Sequence, residues 1–275
     1  MNPPLMMDVP SHSNSDDKDI AERFLKAKAC FDEGKRDEAI ALLKENVDSG
    51  CTDSMVYLGI IYADGNEEER KDSIRLFEKA HSLGNDSGTR NLAYCNAIGL
   101  NTEKNKEKGA ELYIMAAEAG NPRAMCNIGV MYDHGNGVDL DYEKAFGWYL
   151  KSAEGGYQRG MTNLGEHYLW GKGTDVNIDE AEGWFIASGS PRALYRLCEI
   201  YLDIRKDEEK GMRYLRMSAD AKYSRALYRY GRLIEDERRD DAIMMYNEAA
   251  AKGNKDSIER LKELDLVVPE RRRKK

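Results

Sequence analysis

The chain has 275 residues, 41% of them hydrophobic and 33% charged, which is enough apolar matter for a folded core. Its net charge is −8, and because the last five residues are all basic the remainder is more acidic still, a balance that disfavours wide contact with nucleic acid. No stretch approaches the roughly 18 apolar residues of a membrane span, and the N-terminus lacks the basic start and apolar run of a secretory signal, so no membrane partner and a cytoplasmic location are expected.

In chain order, residues 1–19 are polar and contain Pro3, Pro4 and Pro10, the composition of a disordered tail. From residue 20 the apolar positions recur at helical spacing and no strand pattern competes. A degenerate helix pair, "RFLKAKACFDEGKRDEAIALLKENVDSG", comes first. A recurring segment follows: "SMVYLGIIY", "GTRNLAYCN", "AMCNIGVMY", "GMTNLGEHY", "ALYRLCEIY" and "ALYRYGRLI". The small residues that lead these copies are Ser54, Gly88, Ala124, Gly160, Ala193 and Ala226, with another at Ser257, and their successive spacings are 34, 36, 36, 33, 33 and 31.

Each leading segment precedes a second helical segment such as "EKGAELYIMAAEAG" or "EKAFGWYLKSAEGG". Asn121 and Ser190 are placed to cap first helices that begin with Pro122 and Pro191. Asn105, Asp141, Asn177 and Asp207 are the expected caps of second helices, and Gly84, Gly120, Gly156 and Gly253 the expected stops. Gly59, Gly129, Gly165 and Gly231 leave room for close helix approach, with Tyr132, Tyr168, Trp148 and Trp184 among the fillers between layers. No pair can bury its apolar face alone, so the expected fold is all-α, a right-handed α-α superhelix (solenoid) of about seven helix-turn-helix repeats over residues 20–264, followed by a basic tail, 265–275.

The order small-x-x-x-Leu-Gly-x-x-Tyr, then Gly-x-Gly-Val, Asp, Lys-Ala-x-x-Trp-Tyr-x-x-Ala, best seen in residues 124–156, resembles the Sel-1-like repeat, a relative of the tetratricopeptide repeat. The likeness is specific over residues 86–190, whereas the copies at 20–51 and 224–254 have short loops and look more like tetratricopeptide units. The run "WFIASGSPRA" is three residues shorter than its counterpart, which predicts a shortened helix and a local bend there.

Reactive constellations are missing from the sequence. Cys30, Cys51, Cys95, Cys126 and Cys198 are odd in number, widely spaced and without a CxxC pair, so reduced and mostly buried thiols are expected rather than a disulfide framework or a zinc site. "DLDYE" lacks the remaining ligands of a calcium loop, and "GEHYLWGKG" has the wrong glycine spacing for a phosphate loop. His12, His81, His134 and His167 form no HExxH pair, and no GxSxG elbow exists. No catalytic residue, metal or cofactor is assigned.

What remains is a patterned surface. The residue before the leading small position reads Arg123, Arg159, Arg192 and Arg225 in successive copies, and the residue before Leu-Gly reads Asn91, Asn127 and Asn163, then Arg196 and Arg229. Guanidinium groups beside amides suit an acidic, extended peptide, with Tyr195, Tyr228, Tyr94, Leu169 and Trp170 as aromatic and apolar residues at neighbouring inner positions. The competing reading pairs each arginine with a nearby acid such as Glu118 or Glu154. By resemblance, and without a reactive site, the expected function is a non-enzymatic protein-interaction scaffold or adaptor that holds a peptide or protein on a concave face. The alternative is an enzyme or small-ligand protein with a pocket near Glu166, His167 and Glu199.

Overall fold

The structure is a computed structural model that describes residues 17–270. Among the described residues there are fifteen α-helices, one π-helical turn and no strand. By contact pattern the chain divides into two compact units, Met1–Gly160 and Met161–Lys275. The first holds α1 (Lys18–Asp32), α2 (Arg36–Asp48), α3 (Thr52–Ala63), α4 (Glu67–Ser82), α5 (Asp86–Ile98), α6 (Lys106–Glu118), α7 (Pro122–His134) and α8 (Tyr142–Glu154). The boundary falls in α9 (Gln158–Trp170), and the second unit continues with α10 (Ile178–Ser188), α11 (Pro191–Glu199), the π turn Ile200–Ile204, α12 (Glu208–Asp220), α13 (Ser224–Ile234), α14 (Arg239–Ala251) and α15 (Lys255–Glu263). The helices therefore form seven consecutive pairs and one closing helix, the all-α repeat architecture that the periodicity implies.

The first helix starts earlier than the polar N-terminal composition suggests. Asp17 accepts from the backbone N–H groups of Asp19 and Ile20 and so caps α1 at Lys18, while residues 1–16 of the expected tail, and 271–275 of the basic one, lie outside the described residues.

The expected caps are all in place. Asn105, Asp141, Asn177 and Asp207 each accept from the backbone N–H three residues on, and Asn121 and Ser190 do the same ahead of their prolines. In the first unit the caps also tie one repeat to the next. Asn85, which caps α5, donates to Asp53 of α3 at 2.9 Å, and Asn121, which caps α7, donates to Asp86 of α5 at 2.7 Å.

The conserved spacing of glycine in the first helices has a specific use. A Cβ at Gly59, Gly129, Gly165 or Gly231 would stand 2.7 Å from a ring carbon of Phe77, Tyr149, Phe185 or Tyr246, respectively. Each glycine thus receives an aromatic ring from the second helix of its own pair. The ring belongs to the residue after the tryptophan position, so Trp148 and Trp184 stay partly exposed while Tyr149 and Phe185 fill the core.

Helix α10 has 11 residues against 13 in α6, α8 and α12, the shortening predicted from "WFIASGSPRA". The π turn that follows α11 was not predicted, and it has a local cause. The three preceding copies leave the first helix at a glycine in the left-handed region, Gly99, Gly135 or Gly171, eleven residues after the small lead. The equivalent residue here is Ile204, whose β-branch disfavours that conformation. The chain instead widens to an Arg205 N–H to Ile200 carbonyl bond of 2.9 Å and makes its left-handed turn at Lys206.

Candidate functional site

The Gly-rich turn after α7 is a corner. Gly137 has φ +75 and lies so close to the start of α6 that a Cβ would stand 2.3 Å from the Lys106 carbonyl oxygen. Asp141 accepts from the Lys144 backbone N–H at 2.9 Å and pairs with the Lys144 ammonium at 2.9 Å, and these bonds hold its carboxyl below the usual range. Among the described residues no group of His, Cys, Asp and Glu could hold a metal ion.

The five cysteines are all buried, and no disulfide joins them among the described residues. Burial pushes the Cys95 thiol up to about 12 and the Cys198 thiol up to about 11, the opposite of what a nucleophile needs.

The candidate partner-binding residues divide by unit. In the second, Arg192 of α11 donates to Glu166 of α9 at 2.9 Å and also to the Asn163 side-chain oxygen. Arg196 donates to Glu166 at 2.9 Å and to Glu199 at 2.7 Å. Burial alone would lower the Arg196 guanidinium, but Glu166 and Glu199 carry it above its ordinary value. Arg229 bonds the Tyr195 hydroxyl and lies 3.7 Å from Asp203. This arginine pair does meet a nearby acid, as in the competing reading, and that acid is Glu166 on the preceding first helix.

This network also occupies the alternative pocket. Glu166 and Glu199 are both bound by Arg196, and buried His167 has its Nδ1 2.8 Å from the Lys172 carbonyl oxygen. The three residues form no open acid-base cleft.

Several expected contact residues are not at the surface. Asn91, Asn127 and Asn163 are all buried, as are Tyr94 and Tyr195, and Tyr228 is half-buried with its ring 6.0 Å from that of Tyr246. The asparagines follow the small lead by three residues, which puts them on the stripe that packs rather than on the open face. Of the named aromatics Trp170 is the exposed one, at 46%, and the Arg196 guanidinium lies 4.7 Å from its ring centroid.

The first unit has arginines of a different kind. Arg123 is exposed and stacks 5.8 Å from the Tyr157 ring centroid, and Arg159 is half-buried. Below them lies Arg90, which the repeat pattern did not mark: it is 1% exposed, and its Nη2 donates to the Asn91 side-chain oxygen at 2.7 Å. Burial brings its pKa down to about 10, against the opposing pull of Tyr113, Tyr157 and Asp86. The available signal was α5 itself, buried at every position from Gly88 to Ala97 although it carries an arginine and two asparagines. Such a helix must hold its polar groups for a reason other than solvation.

Comparison with known proteins agrees with this architecture. The model of the Sel1 repeat matches residues 52–85, 87–121, 122–157, 158–189, 191–223 and 220–254, thus including the copy likened above to a tetratricopeptide unit but not residues 20–51. A Sel1 repeat protein from Oxalobacter formigenes is 21% identical, with a TM-score of 0.70 over 88% of this chain and 98% of that one. The protective antigen c5321 of uropathogenic Escherichia coli, which has an SLR fold, is 24% identical with a TM-score of 0.67 over 88% of this chain, and this chain spans 56% of its length. At such identities the likeness shows the fold. No curated protein matches the chain. Six family matches, laid end to end over helix pairs whose caps and glycine-aromatic contacts recur in register, place this chain in the Sel1 repeat family.

Proposed function

We propose that this protein is a non-enzymatic adaptor that holds a protein partner through an extended, acidic segment laid across the first helices of the first unit. Sel1 repeat proteins generally serve as protein-interaction scaffolds, and that coarser role comes with the family. The observation that carries the finer reading is the contrast between the units. Arg192 and Arg196 are neutralised by carboxylates of their own chain, whereas among the described residues Arg159 makes no ion pair, and Arg123, at the same register one repeat earlier, is exposed. A cationic strip of this kind on an otherwise acidic protein selects for an acidic segment and repels the rest of the surface. The role belongs to the cytoplasm in this reading, in keeping with five cysteines that form no disulfide among the described residues.

The test is affinity capture from native lysate with quantitative mass spectrometry, comparing wild type with Arg123→Glu/Arg159→Glu after circular dichroism shows both folded. Partners held by wild type and lost by the variant support the adaptor. Capture of no partner by wild type refutes it.

A further inference from the structure

We propose that the groove between α2 and α4 is a docking site for a protein partner that inserts an apolar side chain flanked by carboxylates. This goes beyond the adaptor reading, since it uses neither Arg123 nor Arg159 and a different observation carries it.

Helices α2 and α4 are the second helices of consecutive pairs, and each packs on α3. Between them lies a pocket of about 370 Å³, within the roughly 300–1,000 Å³ of clefts that take a ligand. Leu58 and Tyr62 of α3 form its floor, and Val47 of α2 and Leu76 of α4 are its apolar walls. Val47 and Leu76 are half-buried, so each keeps apolar surface in water that an inserted side chain would cover.

The rim selects an acidic neighbour for that side chain. Lys44 and Lys79 are exposed on opposite walls and make no ion pair among the described residues. Glu69, which Lys44 also attracts, is already held by Arg36 at 2.9 Å and by the backbone N–H of its own cap, Asn66, at 2.9 Å. Arg75 and Asp72 pair at 2.8 Å on the open surface, a weak pair that an incoming carboxylate can replace. Asp72 is thereby engaged, and Asp48 alone of the rim acids opposes the two lysines. On a chain of net charge −8, a rim of this kind steers an acidic segment to the groove.

The corresponding groove of the second unit, between α10 and α12, is crossed by the chain's own charges. It is lined by Tyr201, which follows its small lead by eight residues as Tyr62 does. The Tyr201 hydroxyl donates to Glu182, Arg205 bonds Asp179 and lies 3.6 Å from Glu182, and the Lys210 ammonium stands 5.0 Å from the Tyr201 ring centroid. Lys210 is the third residue after the α12 cap, Asp207. In α4 the third residue after the cap is Glu69, which turns back to Asn66 and Arg36. The position that lays a lysine over Tyr201 therefore supplies no cation over Tyr62, and the floor between α2 and α4 stays apolar.

The probe is an acetylated and amidated ten-residue peptide with a central Leu-Leu pair, two Glu on each side and Ser elsewhere, against one version with Gln for Glu and one with Ser for Leu. Methyl resonances of Val47, Leu58 and Leu76 in the full chain report where it sits. A saturable shift of all three is expected with the Glu peptide, and each control peptide should bind more weakly by about tenfold or more. Lys44→Glu/Lys79→Glu alters only exposed side chains, circular dichroism confirms that it folds, and it is expected to lose about tenfold or more in affinity for the Glu peptide. No shift of the three methyls, equal binding of the Gln peptide, or full binding by the variant overturns the docking site. Sedimentation of the chain alone tests the other occupant: if wild type is a dimer and Lys44→Glu/Lys79→Glu a monomer, a second copy covers the groove and the proposal falls. The adaptor reading is tested at Arg123 and Arg159, and it stands or falls apart from this result.

Discussion

The fit of one ring against each first-helix glycine sets up a paired test at Gly129 and Gly147, both in the α7–α8 pair. In Gly129→Ala the new Cβ would lie 2.7 Å and 2.8 Å from two ring carbons of Tyr149 and 3.3 Å from the Ala145 carbonyl oxygen. Ordinary carbon contacts are about 3.5–4.0 Å, so the ring must retreat by about 1 Å. It has nowhere to go, since Tyr149 is 1% exposed. Overpacking of this kind costs about 1–3 kcal/mol, against a gain of about 1 kcal/mol in helix propensity, so a net loss of about 1 kcal/mol is expected. In Gly147→Ala nothing lies within 4 Å of the new Cβ, and the propensity gain of about 0.8 kcal/mol should appear undiminished. The two variants should therefore melt roughly 4–8 °C apart, on opposite sides of wild type, by circular dichroism. Tyr149→Leu should relieve Gly129→Ala, which a double-mutant cycle would read as coupling. If Gly129→Ala proves as stable as Gly147→Ala, the glycine is not there for the ring.

Three other outcomes follow from single contacts. Glu235 accepts from Arg260 Nε at 3.1 Å and from the Tyr246 hydroxyl at 2.7 Å, and the Arg260 bonds lead in holding its pKa below the ordinary carboxylate value. Because the folded value is depressed, its stabilisation is present above a pH of about 4.3 and lost as the pH falls through the lower folded value, so the difference between wild type and Glu235→Gln at pH 7 should shrink steadily on acidification in denaturant titrations. Asp141→Ala removes the cap of α8 and should lower the melting temperature, with calcium leaving that of wild type unchanged. A thiol reagent at pH 8 should leave Cys95 and Cys198 unmodified in the folded protein and label them on unfolding, as mass mapping would show.

The repeat, its caps and its shortened α10 were legible because each is local: a small lead, a capping side chain or a missing half-turn leaves its mark within a few residues. The aromatic partner of each glycine was less so, since Gly129 and Tyr149 are 20 positions apart and Trp148 stands beside the residue that makes the contact. The π turn was hidden for a different reason. What matters is that Ile204 cannot do what Gly99, Gly135 and Gly171 do at the same register. The candidate surface was misread where exposure was inferred from register alone. Asn91, Asn127, Asn163, Tyr94 and Tyr195 follow the repeat faithfully, yet they lie under the side chains of adjoining turns and repeats. Exposure in a stacked array depends on the next repeat, which one repeat's pattern does not contain.

The same dependence decides what each recurring arginine does. At the position before the small lead, Arg123, Arg159, Arg192 and Arg225 look equivalent in a list of residues. Their surroundings are set by a different residue, the sixth after the preceding lead, which reads Tyr94, Val130, Glu166 and Glu199. The third of these arginines, Arg192, meets the carboxylate at its own register, Glu166, which Arg196 also binds, while Glu199 is bonded to Arg196 at 2.7 Å. A glutamate there turns the arginine into a fastener between repeats, while the valine at the register of Arg159 offers no such partner. Val130 and Glu166 are where this chain shows the two states side by side in sequence.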